Sequence, residues 1–324
     1  EKEKGLRPES PVEIIQDRKL EERDEREEIS LRQSKRMSFR NFHSPPLDLF
    51  EGDRGKPSSG DIKANANIIK RTLQNFGISV EMGEVTVGPS VTQYTLKPAE
   101  GIKLTRITVL QNDLSLALGG HQIRIEAPIP GKSLVGIEVP NSAASLVGLH
   151  HLFAQEDFMK SDKPLFLALG RNVQGQPVYA DLAKMPHLMI AGATNSGKSG
   201  AIHAIISSLL FRNSPEIMRF VLIDPKRVEL SVYNELPHLL TPVITEPKKA
   251  IPVLKWLTKE MERRYDILLQ AKARDITSYH RIIAEAPGEG KEEKDPMPYI
   301  IVIIDELADI MATYPREFEA SVVR

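Results

Sequence analysis

The run Gly192-Ala193-Thr194-Asn195-Ser196-Gly197-Lys198-Ser199 constrains this chain more than any other stretch. It fits the pattern G-x-x-x-x-G-K-[ST]. Glycines there let the backbone curl so that successive N–H groups point inward at phosphates, and the helix that follows adds the positive end of its dipole. The pattern carries meaning only between a strand and a helix. Both flanks are present, with the apolar run Leu188 to Ile190 before it and helical spacing over Lys198 to Phe211 after it. A chain with this unit is directed to an α/β architecture around a parallel sheet, the fold class of a phosphate-loop NTPase. In such a loop Lys198 holds the β and γ phosphates of ATP and Ser199 ligates magnesium. A glycine-rich turn with a coincidental lysine is the plain alternative, and the flanks disfavour it.

The second half of a phosphate site is an acid at the tip of a neighbouring buried strand. Ile300-Ile301-Val302-Ile303-Ile304-Asp305-Glu306 supplies one. Asp305 is the magnesium-side candidate, and Glu306 is the candidate to polarise the attacking water. Either carboxylate alone reads more simply as a helix N-cap or first-turn acid; the pairing with the phosphate loop favours catalysis. Asp224 closes a further apolar run, Phe220 to Ile223, and is followed by Pro225-Lys226-Arg227. Assisting magnesium or water placement and anchoring the turn stand as equal readings for it. Arg263 and Arg264 lie on a long amphipathic segment, roughly Lys248 to Ala273, where a solvated helix face explains them more simply than a contact across a subunit boundary.

With 324 residues and 41% hydrophobic residues, the chain can bury more than one core. Three segments are expected. Residues 1–60 are dense in both charges and end in a Pro/Gly/Ser stretch from Ser44 to Gly60, which reads as a disordered linker with a transient helix over Glu13 to Lys35. Residues 61–155 read as a small α+β module: Ile69, Leu73 and Phe76 at helical spacing with Gly77 as a stop, short strands around Gly88-Pro89, and a helix through Ile107, Leu110, Leu114 and Ala117. Residues 156–324 carry the phosphate motif and the apolar runs of the parallel sheet, with an exposed loop expected over Pro287 to Pro298. There are no cysteines, which excludes disulfides, thiolate metal sites and cysteine nucleophiles. A net charge of -1 gives no global basic field, so any nucleic-acid contact has to be local or built by assembly. No stretch reaches the roughly 20 apolar residues that span a bilayer.

Several blocks beyond the loop are specific. Pro177-Val178-Tyr179-Ala180-Asp181-Leu182-Ala183-Lys184-Met185-Pro186-His187-Leu188 resembles the approach to the loop in the FtsK/SpoIIIE family of DNA translocases. Ile223-Asp224-Pro225-Lys226 with Glu229-Leu230-Ser231-Val232-Tyr233, then Pro237-His238-Leu239-Leu240, Glu260 to Tyr265, and Asp305-Glu306-Leu307-Ala308-Asp309 are similar to further family blocks. Val135 to Asn141 resembles its preceding small domain. The resemblance runs from about Ile62 to Arg324. It implies a small α domain and a RecA-like β domain that form a homo-hexameric ring around double-stranded DNA and move it by ATP hydrolysis in chromosome segregation at division or sporulation. It also implies a membrane anchor before the linker, and a polar phosphate sensor, a trans-acting arginine and a winged-helix domain beyond Arg324. On this reading the RecA-like sheet is incomplete at its C-terminal end, and the piece alone would hydrolyse ATP slowly. Asn195 stands where the family usually has Gly, and Asn is the residue best able to replace Gly at positive φ. Leu307 stands where Phe is common. A related ring ATPase of conjugation or protein secretion, and a nucleotide-gated scaffold without important turnover, stay open as alternatives.

Overall fold

The computed structural model describes residues 42–193, 196–284 and 297–323. The charged stretch before residue 42, with its helix over Glu13 to Lys35, and nearly all of the Pro287 to Pro298 loop lie outside the described residues. His43–Asn213 forms one compact unit, and Ser214–Arg324 belongs to a second.

In the first unit, helix α1 (Ile62–Asn75) starts where Asp61 accepts a bond from the Ala64 N–H at 2.9 Å. It stops where Gly77 takes φ 70° and the Ile78 N–H closes back on the Leu73 carbonyl, the stop expected from Gly77. Ile69 and Leu73 are its buried face. They pack on a four-stranded antiparallel sheet of order β1-β2-β4-β3, with β1 Val80–Val87, β2 Val91–Pro98, β3 Arg124–Glu126 and β4 Val135–Pro140. The helical spacing at Ile107 to Ala117 resolves into a short turn of helix at Thr105–Thr108 and then α2 (Gln111–Ala117), which adds Leu114 to the same core.

The expectation of a linker reaching Gly60 does not hold for residues 43–60. Arg54 and Leu146 exchange backbone hydrogen bonds at 2.9 and 2.8 Å, and Ser58 pairs likewise with Ala143. Asp53 accepts from the Gly148 N–H at 2.9 Å and from Arg171 at 3.1 Å. At Gly148 any Cβ would collide with the backbone of Glu51 and Gly52. The partners lie some ninety residues away in sequence, so local composition gave no sign of them.

Phe50 from this strap enters an aromatic core with Phe153, Phe158, Phe166, Tyr179 and Phe211. The core lies against an antiparallel hairpin, β5 (Phe166–Arg171) and β6 (Pro177–Asp181), that the sequence reading did not identify. Helix α3 (Lys198–Arg212) is rooted there. Phe211 stacks on Phe153 at 4.8 Å between centroids, Ser208 accepts the Ala168 N–H at 3.2 Å, and Arg212 bonds the carbonyls of Phe158 and Ser161 while lying over the Phe158 ring.

In the second unit, β7 (Met218–Ile223) and β8 (Tyr299–Ile304) pair in parallel, residue for residue from Met218 with Tyr299 to Ile223 with Ile304. Single bridges from Phe220 to Leu239 and from Ile223 to Ile244 extend β7 on its other edge. Helix α4 (Pro247–Gln270) covers this sheet with Ala250, Ile251, Val253 and Leu254. It is followed by α5 (Ile276–Ala284), then, after β8, by α6 (Leu307–Thr313) and α7 (Pro315–Val322), whose Ile310 and Phe318 complete the core. The parallel pair and the long helix between its strands are the α/β pattern expected. The strand expected at Leu188 to Ile190 is not formed: Leu188 is 45% and Met189 82% exposed. Three apolar residues just after Pro186 have no ladder partner among the described residues, and strand geometry does not hold without one.

Candidate phosphate site

The candidate residues fall on both units, the phosphate loop on the first and the acids on the second. In the loop, Gly197 caps α3 with φ 98° and ψ 14°, left-handed backbone that a side chain disfavours. A Cβ at Gly192 would meet the Ser196 hydroxyl, which would have to turn away. The Ser196 N–H donates to the Ala193 carbonyl at 3.0 Å and closes the curl. Gly197 at the N-cap brings no capping side chain to α3, which is 15 residues long. Gly192, Ala193, Ser196 and Gly197 are exposed, and Lys198 and Ser199 half-buried at the helix start. A turn with Gly197 in left-handed backbone that leads into a helix N-terminus suits a phosphate anion. Thr194 and Asn195, with the expected tolerance of Asn195 for positive φ, lie outside the described residues.

On the second unit the parallel register brings Asp224 and Asp305 to the same carboxyl edge, each following a paired strand end, and the Asp305 N–H donates to the Ile223 carbonyl at 3.0 Å. Asp224 is completely buried. Its Oδ2 accepts the N–H groups of Glu229 at 3.1 Å and Leu230 at 2.9 Å, and its carbonyl accepts that of Arg227 at 3.2 Å. Of the two readings left open for Asp224, turn anchor is the one these bonds describe. Its Oδ1 is buried without a hydrogen-bond partner among the described residues.

Asp305 is buried, 7% exposed. Glu306 occupies the N-cap of α6 but makes no side-chain bond into that helix; its Oε2 accepts from Lys226 Nζ at 3.1 Å instead. That hydrogen bond raises the Lys226 ammonium above its ordinary value, with the charge of Glu306 adding to it. The sequence reading did not single out Lys226. The available signal was opposite charge just beyond two strand ends, and it becomes visible only once the strands are known to be neighbours in register.

Arg263 and Arg264 both bond Glu260, at 2.7 and 2.8 Å, and Arg264 also donates to the Pro298 carbonyl at 2.7 Å, tying α4 to the entry of β8. Arg264 is therefore a structural tie rather than part of a solvated face. Burial works to raise the Glu260 carboxyl, but the combined bonds and charges of the two arginines outweigh it and hold the group below its ordinary value. Among the described residues no group of three or more His, Asp or Glu side chains converges on a metal position.

The FtsK/SpoIIIE family model matches residues 148–324, and the model for the FtsK alpha domain matches residues 44–141. DNA translocase FtsK of Streptococcus pyogenes serotype M1 is 44% identical over 286 residues, 87% of this chain and 36% of its own length. DNA translocase SpoIIIE of Bacillus subtilis (strain 168) is 43% identical over 291 residues, 89% of this chain and 37% of its own. DNA translocase FtsK of Lactiplantibacillus plantarum is 48% identical over 263 residues, 81% and 33% respectively. The chain thus spans about a third of the length of these relatives. Since the two models follow one another along the chain and the second alone takes in more than half of it, the chain belongs to the FtsK/SpoIIIE family.

Proposed function

We propose that this chain is part of an ATP-driven motor that translocates double-stranded DNA, acting as a homo-hexameric ring in chromosome segregation at division or sporulation. The observation that carries the reading is an intact phosphate loop combined with the Asp305-Glu306 strand end in a member of this family. In this reading the curl Gly192 to Gly197 and the start of α3 hold the phosphates, with Lys198 on the β and γ groups. Ser199 and Asp305 hold magnesium, and Glu306 accepts a proton-side contact from the attacking water. Magnesium, when bound, neutralises charge on the phosphates. Asp224 anchors the turn after β7. The division proposed is a small domain up to about residue 155, now including the strap from residue 43, and a motor domain from about residue 156. A membrane anchor and a winged-helix domain belong to the proposed parent; among the described residues no helix is long and apolar enough to cross a membrane.

The test is ATP hydrolysis by the full-length protein with and without linear double-stranded DNA, alongside Lys198→Ala and Glu306→Gln. Turnover stimulated by DNA and lost in both variants is the expected result. Turnover indifferent to DNA would point to a secretion-type motor, and no turnover at all to a nucleotide-gated scaffold.

A further inference from the structure

We propose that Lys226 is a positioning residue for Glu306, holding its carboxylate at the carboxyl edge of the β7–β8 pair in the orientation in which it meets the attacking water. The inference rests on the turnover role proposed for Glu306.

The contact, 3.1 Å from Nζ to Oε2, joins residues 80 apart in sequence. Both follow strand ends whose register is fixed by six consecutive parallel pairs, so the backbones that carry them are fixed relative to one another. The turn that presents Lys226 is fixed too. Asp224, completely buried, grips the far side of that turn through Glu229 and Leu230, and Arg227 within it is held at φ 59°.

Stability does not account for the pair. The Lys226 side chain is 51% exposed and that of Glu306 28%, and ion pairs this open contribute little to folding. What the pair changes is where a flexible carboxylate points. Glu306 stands at the N-cap of α6, where the alternative is to fold back on the helix N–H groups, and that bond is not made. An ionised carboxylate has about four acceptor positions on two oxygens, and Lys226 occupies one of them on Oε2. Lysine, a point charge on a long stem, can hold that oxygen from the solvent side without filling the space in front of it.

The experiment is steady-state ATP hydrolysis by the full-length protein over a range of ATP concentrations. Lys226→Met is expected to lower kcat about tenfold, a part of the roughly hundredfold or more that a placed general base contributes, with KM within about twofold of wild type. Lys226→Arg, which keeps charge and donor, is expected to recover most of the loss. Lys226→Met in a Glu306→Gln background is expected to leave the residual rate unchanged, because a residue that acts only through Glu306 has nothing left to position. Unaltered kcat in Lys226→Met, a loss confined to KM, or losses that multiply in the double variant would each overturn the proposal. Wild-type turnover in Glu306→Gln alone would remove the role of Glu306 itself, a failure visible without any Lys226 variant.

Discussion

Replacing Asp224 by Ala tests whether the turn after β7 is held from below. Asp224 Oδ2 is the acceptor for two backbone N–H groups, and Leu230, which carries one of them, is fully buried. Without the carboxylate, water can reach the half-buried Glu229 N–H, but the Leu230 N–H is left unsatisfied at about 1–3 kcal/mol. The turn cannot hold itself, since Arg227 sits at φ 59°, a conformation that costs a non-glycine residue about 1–2 kcal/mol. The Arg227 strain is present with and without the carboxylate and adds nothing to the difference, and the refund from no longer burying a carboxylate lowers the loss, which leaves about 2 kcal/mol. With a urea dependence of about 1.5 kcal/mol per molar, the unfolding midpoint falls by a little over about 1 M. The reporter is built in: Trp256, the chain's only tryptophan, is half-buried on α4 of the same unit, so its fluorescence follows that unit. Asp224→Asn keeps an accepting oxygen and is expected to lose about 1 kcal/mol. A midpoint for Asp224→Ala within about 0.5 kcal/mol of wild type would refute the anchor and return Asp224 to a ligand role.

Gly197→Ala puts a side chain on backbone at φ 98° and is expected to cost about 1–2 kcal/mol or to shift the loop; ATP affinity falls in either case, which a nucleotide titration checks. Glu260 supplies a pH test. Its carboxyl is held below the ordinary 4.5, so its contribution is complete above that value and is lost as pH falls through the lower folded value. Glu260→Gln is therefore expected to lose about 1–2 kcal/mol at pH 7 and to show a shallower fall in stability below pH 4.5 than wild type, measured by urea unfolding across pH.

What could be read from the sequence was what sequence distance does not dilute. The phosphate loop, α1 with its stop at Gly77, α3, α4 and the apolar strands β7 and β8 each declare themselves within a window of one element. The strap over residues 43–60 did not, because charge and proline content suggest solvent, while the bonds that order it come from residues 143–148 and Arg171. The strand at Leu188 to Ile190 failed in the opposite direction: three apolar residues promise burial, but a strand exists only through its neighbours. Lys226 shows the same limit at the site. A charge after a Pro in a turn is unremarkable until parallel register places Glu306 within 3.1 Å of it.

Both units set an exposed functional end on a buried root. Gly192, Ala193, Ser196 and Gly197 lie open to solvent, while the helix they lead into is fixed at its far end by Phe211 and Arg212 in the aromatic core. Lys226 is open as well, and its turn is held by a carboxylate with no exposure at all. Phosphate and water must reach the groups that handle them, so those groups cannot be ordered by their own burial, and the positional restraint has to come from residues one or two turns away. Substitutions at such roots should therefore lower turnover without touching the phosphate groups. In Asp224→Ala the loosened turn is expected to release Lys226 from Glu306, so that kcat falls in that variant at urea concentrations well below its unfolding midpoint. Wild-type kcat in a destabilised Asp224→Ala protein would separate the anchor from the clamp and show that Lys226 is held by something other than this turn.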